Sequence, residues 1–185
     1  MQNRITAILS DYDGTLCPTN SVRNQAGTIH DELNRVLWDI SKRIPVCIIS
    51  SKDYHFLHPR TKFAKILSCI MGIETVTLKT HKKEVRMTGE NIQSNKRCGD
   101  TLYCIEDNHI ILNDNKNLRA NSSLLASLAK DISLSYKDVI IERKFTSDKQ
   151  ILAGVTFDYR HLDNWKVYKE KLEPYLKEMI QKNQP

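Results

Sequence analysis

A chain of 185 residues that is 40% hydrophobic and 27% charged has the balance of an ordinary globular protein, with enough apolar residues for one substantial core or two small ones. This composition excludes collagen-like and disordered classes, and no apolar stretch approaches the length a bilayer span needs, so no membrane partner is expected. A net charge of +6 favours an anionic partner.

Ile5 to Leu16, Ile-Thr-Ala-Ile-Leu-Ser-Asp-Tyr-Asp-Gly-Thr-Leu, reads as an apolar strand that delivers Asp11 and Asp13 onto a Gly14-Thr15 turn. That spacing suits phosphoryl transfer. One carboxylate attacks phosphorus, its neighbour two residues on handles the leaving-group proton, and both can hold a divalent cation that offsets their repulsion. Gly14 lets backbone approach a phosphate. A polar segment runs to about Gly27, and Thr28 with Asp31 predicts the N-cap of a helix carrying Ile29, Leu33, Val36, Leu37 and Ile40 at helical spacing. Pro45 ends it, and Val46-Cys-Ile-Ile49 has the continuous apolar character of a buried parallel strand.

Strand, helix, strand in this order predicts a right-handed βαβ unit, in which ligands bind beyond the carboxyl ends of the strands. Asp11 and Ser50 both stand at such ends. Read alone, a serine after a strand caps the next helix, which Ser51-Lys52-Asp53 could start.

The run D-x-D-G-T-L between an apolar strand and a helix, followed by a second strand ending in Ser, resembles the start of the haloacid dehalogenase superfamily of phosphohydrolases. The resemblance implies an α/β, Rossmann-like core with a parallel sheet plus a small α+β cap. It implies Asp11 as the nucleophile that becomes an aspartyl-phosphate, Asp13 as general acid/base, Asp11 and Asp13 as metal ligands, and Gly14 and Thr15 around the phosphate. It is this family resemblance of the acidic loop and βαβ order that implies Ser50 as the phosphate ligand, with Ser51 as the register alternative. Magnesium is the expected cofactor, since hard oxygen ligands and a phosphate oxygen suit it.

Residues 54–71 are expected to include a helix, and residues 72–100 alternate Val76, Leu78, Val85 and Met87 with charges. Basic residues cluster here, at Lys79, His81, Lys82, Lys83, Arg86, Lys96 and Arg97. With no interleaved aromatics to stack bases, they read as a solvated loop or as steering for an anionic phosphate ester, and nucleic acid is not the expected partner. Tyr103 to Leu112 reads as strand, turn, strand, and Glu106-Asp107-Asn108 resembles the hairpin that closes the first half of the core in the sugar-phosphatase branch of that superfamily.

From Asn113 a second unit is expected: a helix with Leu124, Leu125, Leu128, Ala129 and Ile132, a strand at Val139–Ile141, a strictly alternating strand from Ile151 to Arg160, and a helix with Trp165, Tyr168 and Leu172 that Pro174 breaks or restarts. Val139-Ile-Ile-Glu-Arg-Lys144 resembles the cap of trehalose-6-phosphate phosphatases. By that resemblance Glu142 and Lys144 reach sugar hydroxyls. The expected domains are a core over 1–112 and the first half of a cap over 113–185.

Five cysteines without a CxxC pair and six scattered histidines give no zinc spacing. The N-terminus Met1-Gln-Asn-Arg4 runs straight into the first strand without a secretory signal, so reduced thiols and a cytoplasmic location are expected. The sequence departs from the superfamily in lacking a clear Lys and a Gly-Asp-x-x-x-Asp metal loop, Gly99-Asp100 being its sole Gly-Asp pair. The C-terminal part of the core is also expected to be missing, which would leave the strand carrying Asp11 with an exposed apolar edge. The reading is therefore a magnesium-dependent phosphomonoester hydrolase acting on a small sugar phosphate. The alternative is a truncated or non-catalytic module that binds a phosphorylated ligand or a partner chain, and a second chain or homo-oligomer completing the core is part of either.

Overall fold

The computed structural model describes residues 5–19, 27–78, 80–83, 102–105, 109–113 and 115–182. These fall into two compact units, Met1–Cys17 with Ile29–Asn113, and Pro18–Thr28 with Asp114–Pro185. No helix among the described residues is long and apolar enough to cross a membrane.

The first unit is built on a five-stranded mixed sheet in the order β1-β2-β3-β4-β7, from β1 (Ile8–Asp11), β2 (Val46–Ile49), β3 (Ile66–Cys69), β4 (Glu74–Thr77) and β7 (His109–Leu112). The expected βαβ unit is present: β1 pairs parallel with β2 and β2 with β3, while β4 and β7 join antiparallel. Helix α1 (Asp31–Ser41) connects β1 to β2, and the short α2 (Tyr54–Leu57) lies between β2 and β3. The order β1, β2, β3 advances in one direction, so right-handed connections put α1 and α2 on the same face of the sheet. That face carries Val46, Ile48, Leu67, Cys69 and Val76, all buried.

Helix α1 begins two residues later than the Thr28 cap predicts. His30 holds the extended backbone of an N-cap, and its Nδ1 accepts the Glu32 N–H at 3.4 Å. An imidazole ring thus does the work expected of a hydroxyl, with Asp31 and Glu32 favourably placed at the positive end of the helix. Of the predicted stripe Ile29 and Leu37 are buried, Ile29 just ahead of the helix, whereas Leu33 and Val36 are exposed.

The strands predicted within Tyr103–Leu112 form, but not as partners. β6 (Leu102–Ile105) pairs with β5 (Thr80–Lys83), and β7 pairs with β4. Glu106-Asp107-Asn108, Val85, Met87, Gly99-Asp100 and most of the basic cluster lie outside the described residues.

In the second unit α3 (Asn115–Ser135) and α4 (Trp165–Lys182) accompany an antiparallel pair, β8 (Ile140–Phe145) and β9 (Leu152–Asp158). Ile132, Val139 and Leu172 form its core with Ile141, Phe157, Tyr159, Tyr168 and Tyr175 around them. Pro174 does not break α4, contrary to expectation. It lies on the exposed side of the helix, where water can take the hydrogen bond that the Glu170 carbonyl loses.

Candidate active site

At the carboxyl end of β1 the chain turns tightly. The Tyr12 carbonyl accepts hydrogen bonds from both Leu16 N–H and Cys17 N–H at 3.0 Å, and Gly14 N–H donates to the Cys17 carbonyl at 2.7 Å. Gly14 has φ of +82°, a conformation that glycine adopts without the clash a Cβ would bring. Asp11 is exposed and Asp13 half-buried. The Tyr12 N–H donates to Asp11 Oδ1 at 2.7 Å, and Ser10 Oγ donates to the Asp11 carbonyl at 2.9 Å. The nucleophile candidate is thus oriented by backbone. Thr15 is exposed on the same turn.

Between the two carboxylates sits Tyr12, fully buried. Its ring stands edge-on to Phe56 of α2, with centroids 5.5 Å apart at 89°. Burial pushes its phenol up to about 12, with Cys17 adding to the rise. Phe56 in turn carries Lys52 Nζ at 4.8 Å and the Arg60 guanidinium at 4.1 Å from its ring centroid, and an Arg60 Nη donates to the Phe56 carbonyl at 2.9 Å. The acidic loop therefore rests on an aromatic pair backed by two cations, a feature that the spacing of Phe56, Lys52 and Arg60 in the sequence does not announce.

Asp11 is opposite Ile49 in the β1–β2 register, so Tyr12 and Ser50 leave the sheet from adjacent positions. Ser50 is only 2% exposed. Its N–H donates to the Ser68 carbonyl at 3.0 Å, its carbonyl accepts from Met71 N–H at 3.0 Å, and its Oγ accepts from Lys52 N–H at 3.1 Å. With an acceptor position of the hydroxyl used, its proton remains to be donated. Ser51 is half-buried beside it. The cap of α2 is Asp53, whose side chain accepts from Phe56 N–H at 2.9 Å, so the helix-capping role considered for Ser51 belongs to Asp53.

Also missed by sequence reasoning is the turn that locks Ser50. Ile70, Met71 and Gly72 have φ of 51°, 56° and 88°, three left-handed residues in succession. Ile70 N–H donates to the Lys52 carbonyl at 2.9 Å, and Asn113 Nδ2 donates to the Gly72 carbonyl at 2.6 Å. A branched residue in this region costs roughly 1–2 kcal/mol, and such strain persists where neighbours over-determine the backbone. Met-Gly was the one local hint.

In the second unit Glu142 and Lys144 share a strand face with Ile140, opposite the Ile141 face that packs on the helices. Glu142 is half-buried and Lys144 buried. Lys144 is paired with Gly154. Asp158, paired with Ile140, accepts from Arg160 N–H at 3.2 Å, from Nε at 3.1 Å and from a terminal nitrogen at 3.3 Å.

The described residues contain no group of three or more His, Cys, Asp or Glu side chains able to hold a metal. The two carboxylates of the β1 loop fit a smaller demand, since magnesium is commonly held by one or two carboxylates, waters and the substrate phosphate.

No family model and no curated protein sequence matches the chain. Solved structures do. The C-terminal domain of trehalose-6-phosphate phosphatase from C. albicans superposes with a TM-score of 0.63 at 20% identity, covering 96% of this chain and 51% of that one. A trehalose-6-phosphate phosphatase related protein superposes with a TM-score of 0.56 at 14% identity, covering 95% of this chain and 60% of that one. The chain thus spans about half to three-fifths of the length of the structures it resembles. Over that length it has the fold of trehalose-6-phosphate phosphatases, and the haloacid dehalogenase resemblance read from its sequence is borne out at the level of the fold.

Proposed function

We propose that the chain carries the nucleophile half of a magnesium-dependent phosphomonoester hydrolase acting on a small sugar phosphate. What supports the reading is one arrangement: a loop bearing Asp11 and Asp13 at the carboxyl end of β1, one register position from a buried, backbone-locked Ser50 at the end of β2. In the proposed reaction an Asp11 carboxylate oxygen attacks phosphorus while the bond from phosphorus to the sugar oxygen breaks. Asp13 gives its proton to the departing alkoxide. Asp13 then takes a proton from water, whose oxygen attacks the aspartyl-phosphate and releases inorganic phosphate and the Asp11 carboxylate. Ser50 donates its hydroxyl proton to a phosphoryl oxygen, and the Gly14-Thr15 turn and Ser51 line the phosphate. Asp11 and Asp13 would hold magnesium, which when bound supplies charge neutralisation to a reaction that gains mostly from positioning and electrostatics. Glu142 and Lys144 are assigned to sugar hydroxyls.

Phosphate release from an aryl phosphate and a panel of sugar phosphates, with and without magnesium, tests the reading beside Asp11→Asn. Turnover that requires magnesium and vanishes in Asp11→Asn is expected; turnover indifferent to the substitution refutes it. The alternative reading is a module that binds phosphorylated ligands without hydrolysis. Its signature is saturable phosphate binding by wild type and Asp11→Asn alike, with no release from either.

A further inference from the structure

We infer that Met71 is a substrate-contacting residue, an assignment that rests on the proposed phosphate site at Ser50 and the Asp11 loop. Its exposed side chain packs against the organic group esterified to that phosphate, the part of the substrate that the carboxylates and the serine leave untouched.

Topology brings Met71 to the site. Strands β1, β2 and β3 run parallel, so their carboxyl ends share one edge of the sheet, where α/β folds bind ligands. The first end carries the Asp11 loop, the second Ser50, and the third the turn Ile70-Met71-Gly72. Met71 N–H donates to the Ser50 carbonyl at 3.0 Å, which makes Met71 an immediate neighbour of the residue assigned to the phosphoryl oxygens.

The second observation is the residue type. The turn is fastened by Ile70 N–H on the Lys52 carbonyl at 2.9 Å, by Ile73 N–H on the Ile70 carbonyl at 3.2 Å, and by Asn113 Nδ2 on the Gly72 carbonyl at 2.6 Å. Ile70 has a reason to be there, since its side chain is buried, and Gly72 suits its φ of 88°. Met71 has neither reason. It sits at φ 56° and ψ 36°, where glycine or asparagine is held at less cost, and it is 77% exposed, so no core contact offsets the strain. Folding thus accounts for the shape of the turn but not for a large apolar side chain at its tip. Strain of this kind clusters at binding and catalytic sites, and a local rule broken without structural gain marks a place where function is served.

The chemistry of the side chain names the ligand class. An unbranched, polarizable thioether moulds itself to irregular apolar surface, and the matching ligand is a phosphate ester whose alcohol presents an apolar face, either an aromatic ring or the C–H face of a sugar. Inorganic phosphate offers no such face. Met71 therefore favours the ester over the free phosphate that hydrolysis releases.

The test is calorimetric binding of phenyl phosphate and of inorganic phosphate, with magnesium present, to Asp11→Asn protein in which position 71 is Met or carries Met71→Asn, Met71→Gly or Met71→Leu. Asparagine and glycine both relieve the left-handed strain, so neither variant should melt below its parent. Both should bind phenyl phosphate about 10-fold more weakly, the order expected from uncovering one apolar side chain, with affinity for inorganic phosphate unchanged. Met71→Leu, which keeps an apolar side chain, should bind the ester as Met does. No loss for the ester in either the Asn or the Gly variant, equal losses for both ligands, a Leu variant as weak as Gly, or a fall in both melting temperatures would each overturn the inference and leave the hydrolase reading standing. Protein that binds neither ligand would overturn both, and wild-type protein that binds the ester without turnover would overturn the hydrolase reading alone.

Discussion

Replacing Tyr12 tests whether the two site carboxylates are held in place by the buried residue between them. The ring is fully buried and edge-on to Phe56 at 5.5 Å. Truncating a buried aromatic to Ala costs about 3–5 kcal/mol through lost transfer energy and the cavity left behind, and about 0.5–1.5 kcal/mol of that belongs to the aromatic pair. Tyr12→Phe keeps ring and pair, and losing the hydroxyl's interaction costs about 1 kcal/mol. Urea unfolding should therefore rank wild type, Tyr12→Phe and Tyr12→Ala in that order, and Mg2+-dependent phosphate release should survive in Tyr12→Phe and fall in Tyr12→Ala. The pH dependence adds an independent check. The folded phenol titrates at about 12 against 10.0 when unperturbed, so the fold favours its neutral form. The stability it contributes is complete below about pH 10 and is lost as pH rises toward 12. Tyr12→Phe should flatten this window. Burial likewise raises the Cys69 thiol from 9.0 to about 12, so a decline beginning about one pH unit lower should persist in the variant. A Tyr12→Ala cost under about 1 kcal/mol, well short of the cavity expectation, or an unchanged alkaline slope in Tyr12→Phe would refute the reasoning.

Other substitutions probe the loop, the turn and the second unit. Gly14→Ala places a Cβ at φ of +82° and should cost roughly 1–2 kcal/mol in urea unfolding, with phosphate release falling further than stability because the turn between the carboxylates shifts. Met71→Asn should raise the melting temperature by an amount equivalent to up to about 1 kcal/mol, since asparagine tolerates the left-handed region and Met71 is exposed; a lowered melting temperature would show that the methionine side chain is needed there. Pro174→Ala restores a hydrogen bond to the Glu170 carbonyl within α4 and should stabilise the second unit by up to about 3 kcal/mol, measured by thermal unfolding. No gain would mean the helix already compensates at that point.

The elements that local pattern determines were legible. β1 and β2 follow from their apolar runs, α3 from helical spacing, and β9 from strict alternation. Asp11 and Ser50 were placed at the carboxyl ends of their strands by the order of a βαβ unit. What failed was decided by partners distant in sequence. Ile66-Leu-Ser-Cys69 is a central strand four residues long, too short to show a period, and it is defined by β2 and β4 on either side. The strands within Tyr103–Leu112 were recognised, but their pairing was assigned to the nearest neighbour when β4 and β5 were the partners. A proline in α4 was read from its missing N–H without knowing that it would face water. The site divides the same way: residue type and spacing named Asp11 and Asp13 and the family resemblance added Ser50, whereas the parts that hold them are long-range contacts. Tyr12 on Phe56, and Met71 N–H on the Ser50 carbonyl, join β1 to α2 and β2 to the turn after β3. A left-handed Ile70-Met71-Gly72 carries almost no signature because its conformation is imposed by those bonds and not preferred by its residues. The candidate groups of this site were therefore readable in single residues, while its rigidity belongs to the packing between elements. Substitutions at Phe56 should for that reason lower phosphate release without touching any group that reacts in the proposed step.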